Sequence, residues 1–333
     1  MIIPIKIDNN MTVDELDIME TSFKSLNLKE SHIEEFIRTN IELLLTDESL
    51  LIVGSQVTNS EKGRSDLTAI DENGNLVLIE IKRDFKDIKA RKEELEFQVI
   101  RYAAGYAKIK TPEELVEQIF APYVTRYAYE FDLGSLTPYE KATRILESFL
   151  EKNNALNTFN KKQRIILIAS SFDRQTESAV AWLIANHVDI SCITLKPLKV
   201  GGGLFLEINR LLPPQLLEDF YVEISEKHTV EARTEDTTGI TRKYLPRMDK
   251  LFEWGLIKSG DIVVIKNFED SDAIVKDTKS VEFNGELMTF NNWAEKVTGW
   301  SAVNIYEWTL VKGETKTLDQ KRREKMAEVE VDE

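Results

Sequence analysis

The chain has 333 residues, 42% of them apolar, with 58 acidic against 43 basic side chains and a formal net charge of −15. That length is a prior for two domains, and that charge argues against a protein that coats nucleic acid nonspecifically, whose affinity comes from neutralising phosphates. No run approaches the roughly 18–20 apolar residues of a membrane span, and the start, Met1–Lys6, lacks the basic-then-apolar design of a signal peptide. The single Cys192 permits no internal disulfide, so a reducing, cytoplasmic setting is expected. His32, His187 and His228 are scattered and suggest neither a zinc site nor a histidine-based triad.

Residues 1–24 read as a short strand followed by polar sequence. From about 29 to 45, Ile33, Phe36, Ile37, Ile41 and Leu44 recur at helical spacing and predict a helix with that stripe in the core. Glu30 opens it, where the positive end of the helix dipole favours a carboxylate, and Glu34 lies one turn on. Leu50–Val57 is a continuous apolar strand, and Asn59–Gly63 is a loop.

Residues Ser65–Ile70 and Leu76–Lys82 then predict two strands joined by turn chemistry, Asp71-Glu72-Asn73-Gly74. A three-residue loop, Glu72–Gly74, with Gly74 in the left-handed position, sets Asp66 directly opposite Glu80. Strand side chains repeat every two residues, so Glu80 and Lys82 share a face while Val77, Ile79 and Ile81 form the apolar one. Charged groups within a mostly apolar strand are expensive unless paired or bound to an ion. Two carboxylates held close resist joint ionisation. A divalent cation removes that conflict, since hard cations such as Mg2+ take oxygens from one or two carboxylates plus water and phosphate. A lysine beside them holds a water or stabilises charge on a phosphate. This is the inventory for metal-assisted phosphodiester hydrolysis. The competing reading of Glu80 and Lys82 is a surface cross-strand ion pair, energetically minor.

A charged connection at 84–93 leads to a helix at about 92–108, with Leu95, Val99, Ala103 and Tyr106 facing inwards. Gln98 and Tyr102 are i,i+4 neighbours and project together; core-edge packing is the plain alternative to a role beside the site. Residues 80–110 hold nine Lys/Arg against six Asp/Glu, so an acidic body carries a basic rim at this place. Arg64, Arg83, Lys86, Lys89 and Arg101 are the expected nucleic-acid contacts, with strong salt sensitivity.

Asp66, thirteen residues, then Glu80-Ile81-Lys82 resembles the signature of the PD-(D/E)XK nuclease superfamily. Leu28-Lys29-Glu30, Asn40–Leu44, Gly63–Asp66, Glu80–Arg83 and Gln98–Tyr102 are similar in order and spacing to its NucS-like branch, over residues 25–110 and more weakly 162–213. The resemblance implies that Glu30, Asp66 and Glu80 hold Mg2+ or Mn2+, with Glu34 the alternate to Glu30. It also implies catalytic roles for Asp66, Glu80 and Lys82, supported by Gln98 and Tyr102. Glu-x-Lys alone carries nothing: it recurs as Glu314-Thr315-Lys316 in a charged tail.

Residues 111–160 read as a helical elaboration, with helix starts at Thr111-Pro112 and Thr137-Pro138. Arg164–Ser170 is a buried strand. Asp173 caps a helix over about 174–187 with Ala179, Trp182 and Leu183 inwards, and Ser191–Leu195 is the next strand, a parallel addition to the sheet. Gly201–Gly203 is a hairpin turn into Leu204–Asn209, not a phosphate loop, because neither Lys-Ser/Thr nor a helix follows.

Residues 214–241 read as linker, 242–312 as a small α+β module, and 313–333 as a charged tail, frayed or disordered. Within the module the expected elements are a helix at Tyr244–Trp254, strands at Asp261–Lys266, Asp272–Lys276 and Ser280–Phe283, a turn at Asn284-Gly285, a helix at Phe290–Val297 and a strand at Asn304–Val311. Trp254, Trp293, Trp300 and Trp308 read as core, with a stacking surface at Thr298–Ser301 as the alternative. The run Leu251–Asp261, then Asn-Gly, then Trp293–Ser301, resembles RAMA-type modules found beside restriction and modification enzymes, which implies recognition of modified DNA; a plain interaction or dimerisation module is the rival.

The expected fold is therefore α/β: a restriction-endonuclease-like mixed sheet flanked by helices (residues 1–213), a helical elaboration, and a second, smaller domain. The expected activity is metal-dependent hydrolysis of DNA, in restriction of foreign or modified DNA or in repair, by a protein that contacts no membrane; a homodimer and a single site that nicks or cuts twice are both open. The alternative is a nuclease-fold binding module without turnover.

Overall fold

The structure is a computed structural model and describes residues 5–7, 11–13, 18–45, 47–58, 63–84, 94–213 and 245–332. Lys86, Lys89, most of the 84–93 connection, and residues 214–244 lie outside the described residues, and so does the expected linker. The chain divides into two compact units: Met1–Asn40, Ile52–Leu150 and Asn154–Pro214 form the first, and Ile41–Leu51, Glu151–Asn153 and Gln215–Glu333 the second. Among the described residues no helix is long and apolar enough to cross a membrane.

In the first unit, β1 (Ile5–Ile7) and β2 (Met11–Val13) make a small antiparallel pair. The main sheet contains β3 (Ile18–Glu20), β4 (Leu50–Thr58), β5 (Arg64–Asp71), β6 (Leu76–Lys82), β7 (Gln163–Ala169), β8 (Ile190–Val200) and β9 (Gly203–Leu212). Its order is β3-β8-β7-β6-β5-β4, with β9 also paired to β8. The β5–β6 pair is antiparallel, while β6–β7 and β7–β8 are parallel, as the strand–helix–strand pattern implies. The sheet is thus mixed, and β6, hydrogen-bonded on both sides, is buried over its whole length. A strand buried on both faces reads as an apolar run; Glu80 and Lys82 are the exceptions that need compensation.

The hairpin register is the expected one, with Leu67 paired to Ile79 and Ile70 to Leu76. Asp71 closes the turn: its carboxylate accepts the N–H groups of Asn73 and Asn75, and its carbonyl accepts that of Gly74. Gly74 takes φ +81°, and a Cβ there would sit 2.9 Å from the Ala155 carbonyl oxygen.

Helices α1 (Glu30–Thr39) and α2 (Leu95–Tyr106) both lie against β5 and β6. The first is shorter than its stripe suggests: it ends at Asn40, and Ile41–Leu43 is a 3-10 turn. The elaboration is helical as expected, with α3 (Pro112–Leu115), a π-helical stretch (Val116–Phe120), α4 (Ala121–Arg126) and α5 (Pro138–Lys152), whose Leu146 and Phe149 are fully buried. In α6 (Arg174–Ala185), Asp173 caps the Thr176 N–H. Trp182 does not point inwards: it is 65% exposed, because Thr176 and Val180 form the buried face. Gly201 and Gly202, both at positive φ, turn the chain from β8 into antiparallel β9.

The second unit holds a five-stranded antiparallel sheet, in the order β13-β12-β11-β10-β14. Its strands are β10 (Ile262–Ile265), β11 (Ala273–Val275), β12 (Ser280–Phe283), β13 (Glu286–Thr289) and β14 (Thr309–Val311). Its helices are α7 (Met248–Glu253), α8 (Phe290–Thr298), α9 (Ile305–Trp308) and α10 (Leu318–Asp332). Four expectations are corrected here. Asn284-Gly285, both at positive φ, is a hairpin turn into β13, a strand the sequence reading passes over. The span Asn304–Val311 is a helical turn before a short strand, since the Asn304 side chain caps the Glu307 N–H. The first helix starts at Met248 rather than Tyr244, after Pro246, which disfavours helix in the residue before it. Residues 318–332 are an ordered helix with Leu318 and Arg322 buried. Trp293, Trp300 and Trp308 are core; Trp300 packs edge-on to Trp308 and Phe268 and presents no stacking surface.

Candidate active site

The site gathers at the end of the β5–β6 hairpin away from its turn. The strand register continues from Leu67–Ile79 to place Asp66 across from Glu80, and Lys82 is the last residue of β6. Lys82 Nζ lies 2.6 Å from Glu80 Oε1, 3.5 Å from Asp66 Oδ2 and 3.6 Å from Glu30 Oε1, with its side chain only 1% exposed. The ammonium also donates to the Ile81 carbonyl at 2.7 Å, and the Ile81 N–H donates to Asp66 Oδ2 at 2.7 Å. Strand pairing and side-chain chemistry are therefore one network.

Both flanking helices place side chains beside this network. Glu30, at the first position of α1, accepts the Arg83 N–H at 3.4 Å and is the most open carboxylate of the group. On α2, the Gln98 amide donates to Tyr102 Oη at 2.9 Å and approaches Glu80 Oε1 at 3.4 Å, and the Arg64 N–H donates to Tyr102 Oη at 3.2 Å. Arg64 and Arg101 are exposed, and half-buried Arg83 pairs with Asp84 at 3.5 Å.

Glu34 lies one turn along α1 and belongs to the same neighbourhood. Ser55 Oγ donates to its Oε1 at 3.1 Å, and the Gln56 amide donates to its Oε2 and, at 3.5 Å, to Asp66 Oδ1. Burial pushes the Glu34 carboxyl up, the Asp66 charge pushes it further, and the hydrogen bonds from Gln56 and Ser55 pull it back. Beneath, Tyr106 Oη lies 2.6 Å from both Ser65 Oγ and Thr68 Oγ1, fixing β5 to α2. Sequence reasoning missed Ser55, Gln56 and the polar role of Tyr106. One signal for Gln56 was available: with Ser55 it interrupts the apolar run of β4.

Three carboxylates, Glu30, Asp66 and Glu80, thus surround one buried ammonium, and a fourth, Glu34, adjoins Asp66 through the Gln56 amide. Such an excess of negative charge raises the affinity of a site for cations. Comparison with known protein families, characterised proteins and solved structures gives no match, so the functional reading rests on these residues. Among the described residues, no three His, Cys, Asp or Glu side chains are pre-arranged around a common metal position; the carboxylates close on Lys82 instead. The donor set, all oxygen with excess negative charge and one open side at Glu30, nevertheless fits a hard divalent cation better than any softer metal.

Proposed function

We propose that this protein is a divalent-metal-dependent DNA endonuclease whose first unit is a restriction-endonuclease-like core. The observation that carries the reading is the convergence of Asp66, Glu80 and Lys82 through strand register, with Glu30 and Gln98 reaching the same place from two different helices. A structural ion pair needs one carboxylate for one ammonium; three carboxylates and a bridging amide are more than neutralisation of Lys82 requires.

Glu30, Asp66 and Glu80 would hold Mg2+ or Mn2+, which supplies charge neutralisation and Lewis acidity at the scissile phosphate. Lys82 then has an ammonium free to donate to the attacking water or to a phosphate oxygen as charge develops there. Gln98 and Tyr102 orient the same water or phosphate. Arg64, Arg83 and Arg101 contact the DNA backbone, where they add affinity but no sequence information. The second unit selects or positions the substrate, in restriction of foreign or modified DNA or in repair.

The test is cleavage of single-stranded, duplex, branched and base-modified DNA at low salt with Mg2+, Mn2+ or EDTA, for wild type, Asp66→Ala and Lys82→Ala. Metal-dependent cutting lost in both variants supports the reading. No cutting by wild type, together with no rise in melting temperature on adding Mn2+, overturns it. One observation favours the rival reading of a binding module without turnover: the carboxylates already close on an ammonium, as in a self-neutralised cluster.

A further inference from the structure

Gln56 occupies a position where its backbone is strained. Within β4 it adopts φ +56°, the left-handed region that residues with a Cβ enter only at a cost and that glycine enters freely. Strain of this kind persists where surrounding contacts over-determine it, and it concentrates at functional sites. Here the side chain supplies the contacts. The two hydrogens of its amide nitrogen go to two different carboxylates, Glu34 Oε2 and Asp66 Oδ1. Glu34 is pinned at its other oxygen by Ser55, whose own carbonyl accepts from Arg126 at 2.9 Å. Asp66 is held at Oδ2 by Ile81 and Lys82 and at Oδ1 by Gln56. The amide oxygen of Gln56 is buried and makes no hydrogen bond among the described residues.

We propose that Gln56 is a positioning residue: its amide braces Asp66 against Glu34, separating two carboxylates that would otherwise repel and fixing the plane of the Asp66 carboxylate. The left-handed backbone aims the amide into the gap between α1 and β5. Gln56 touches neither substrate nor phosphate; it acts through Asp66. Its consequence for cation binding rests on the nuclease reading above, whereas the brace itself does not.

The experiment uses the full chain and two variants, Gln56→Gly and Gln56→Glu, with melting temperature read in EDTA and across a MnCl2 series. Gln56→Gly relieves the backbone and removes the brace. It should melt no lower than wild type in EDTA, yet need on the order of tenfold more Mn2+ for half of the full rise. Gln56→Glu keeps the length but adds a third carboxylate beside Glu34 and Asp66; it should melt lower in EDTA and gain more from Mn2+ than wild type does. Wild-type Mn2+ midpoints in both variants would overturn the proposal. If wild type itself shows no Mn2+ response, the nuclease reading falls and a mutant cycle in EDTA decides the brace. Gln56→Gly should then raise the melting temperature more in an Asp66→Ala background than in wild type, because only wild type has a brace to lose. Equal changes in the two backgrounds overturn the proposal.

Discussion

Replacing Lys82 by methionine keeps the length of the side chain and removes its charge. In the wild type that charge sits within 3.6 Å of three carboxylates, with the side chain 1% exposed. Two unit charges about 4 Å apart interact by roughly 4 kcal/mol at an effective dielectric of about 20. Removing one partner of a buried pair typically costs about 3–5 kcal/mol, because the remaining charge is left uncompensated. For a domain of this size each kcal/mol moves the melting temperature by roughly 2–4 °C. Lys82→Met should therefore melt roughly 6–20 °C lower than wild type in EDTA at neutral pH. Exposed Lys162→Met is the control and should stay within about 0.5 kcal/mol of wild type. Mn2+ at about a hundredfold excess over its dissociation constant should return about 2.7 kcal/mol. Thermal and urea unfolding, each with and without Mn2+, measure these effects. A Lys82→Met protein within about 1 kcal/mol of wild type in EDTA would refute the view that Lys82 compensates this cluster.

Gly74→Ala should cost about 1–3 kcal/mol in urea unfolding, since the residue sits at φ +81° and the new Cβ would lie 2.9 Å from a backbone oxygen; an unchanged midpoint would show that the turn readily shifts. In the second unit, burial, and then the charge of Glu42, push the Glu295 carboxyl up to about 8. The folded form therefore keeps a proton that the unfolded chain has lost, and stability falls as pH rises from about 4.5 to about 8. Melting temperature against pH should show that decline, flattened in Glu295→Gln; an equally steep decline in the variant would assign the dependence to other groups.

The hairpin was legible because both its determinants are local. A three-residue turn with glycine at its end fixes the register, and the period of two then dictates which side chains share a face. The helix starts at Pro112 and Pro138 were legible for the same kind of reason. Ile305, Tyr306 and Trp308 misled because they favour strands, while the single cap at Asn304 that makes a helical turn of them is easily outweighed in a sequence reading. Trp182 misled because α6 buries Thr176 and Val180, a narrower face than its apolar residues suggest. Arg322 sits in a run of charges that reads as solvated, yet besides its local i,i+3 pair with Asp319 it lies 3.9 Å over the Tyr306 ring, a contact made only once the chain has folded. Gln56 is the most instructive case. Its left-handed backbone is imposed by tertiary contacts, so no local pattern announces it.

The thirteen residues between Asp66 and Glu80 act as a ruler read in steps of two. Inserting or deleting one residue within the turn would slide β5 against β6 and bring Ile79 or Ile81 to the place opposite Asp66, swapping a carboxylate for a hydrocarbon and turning Glu80 and Lys82 onto the apolar face. A change of two, placed symmetrically, would lengthen the hairpin by one rung and leave the pairing untouched. Length variation in this stretch should therefore be felt by parity: odd changes break up the Asp66–Glu80–Lys82 cluster and set its charges among hydrocarbon, and even ones leave the cluster standing.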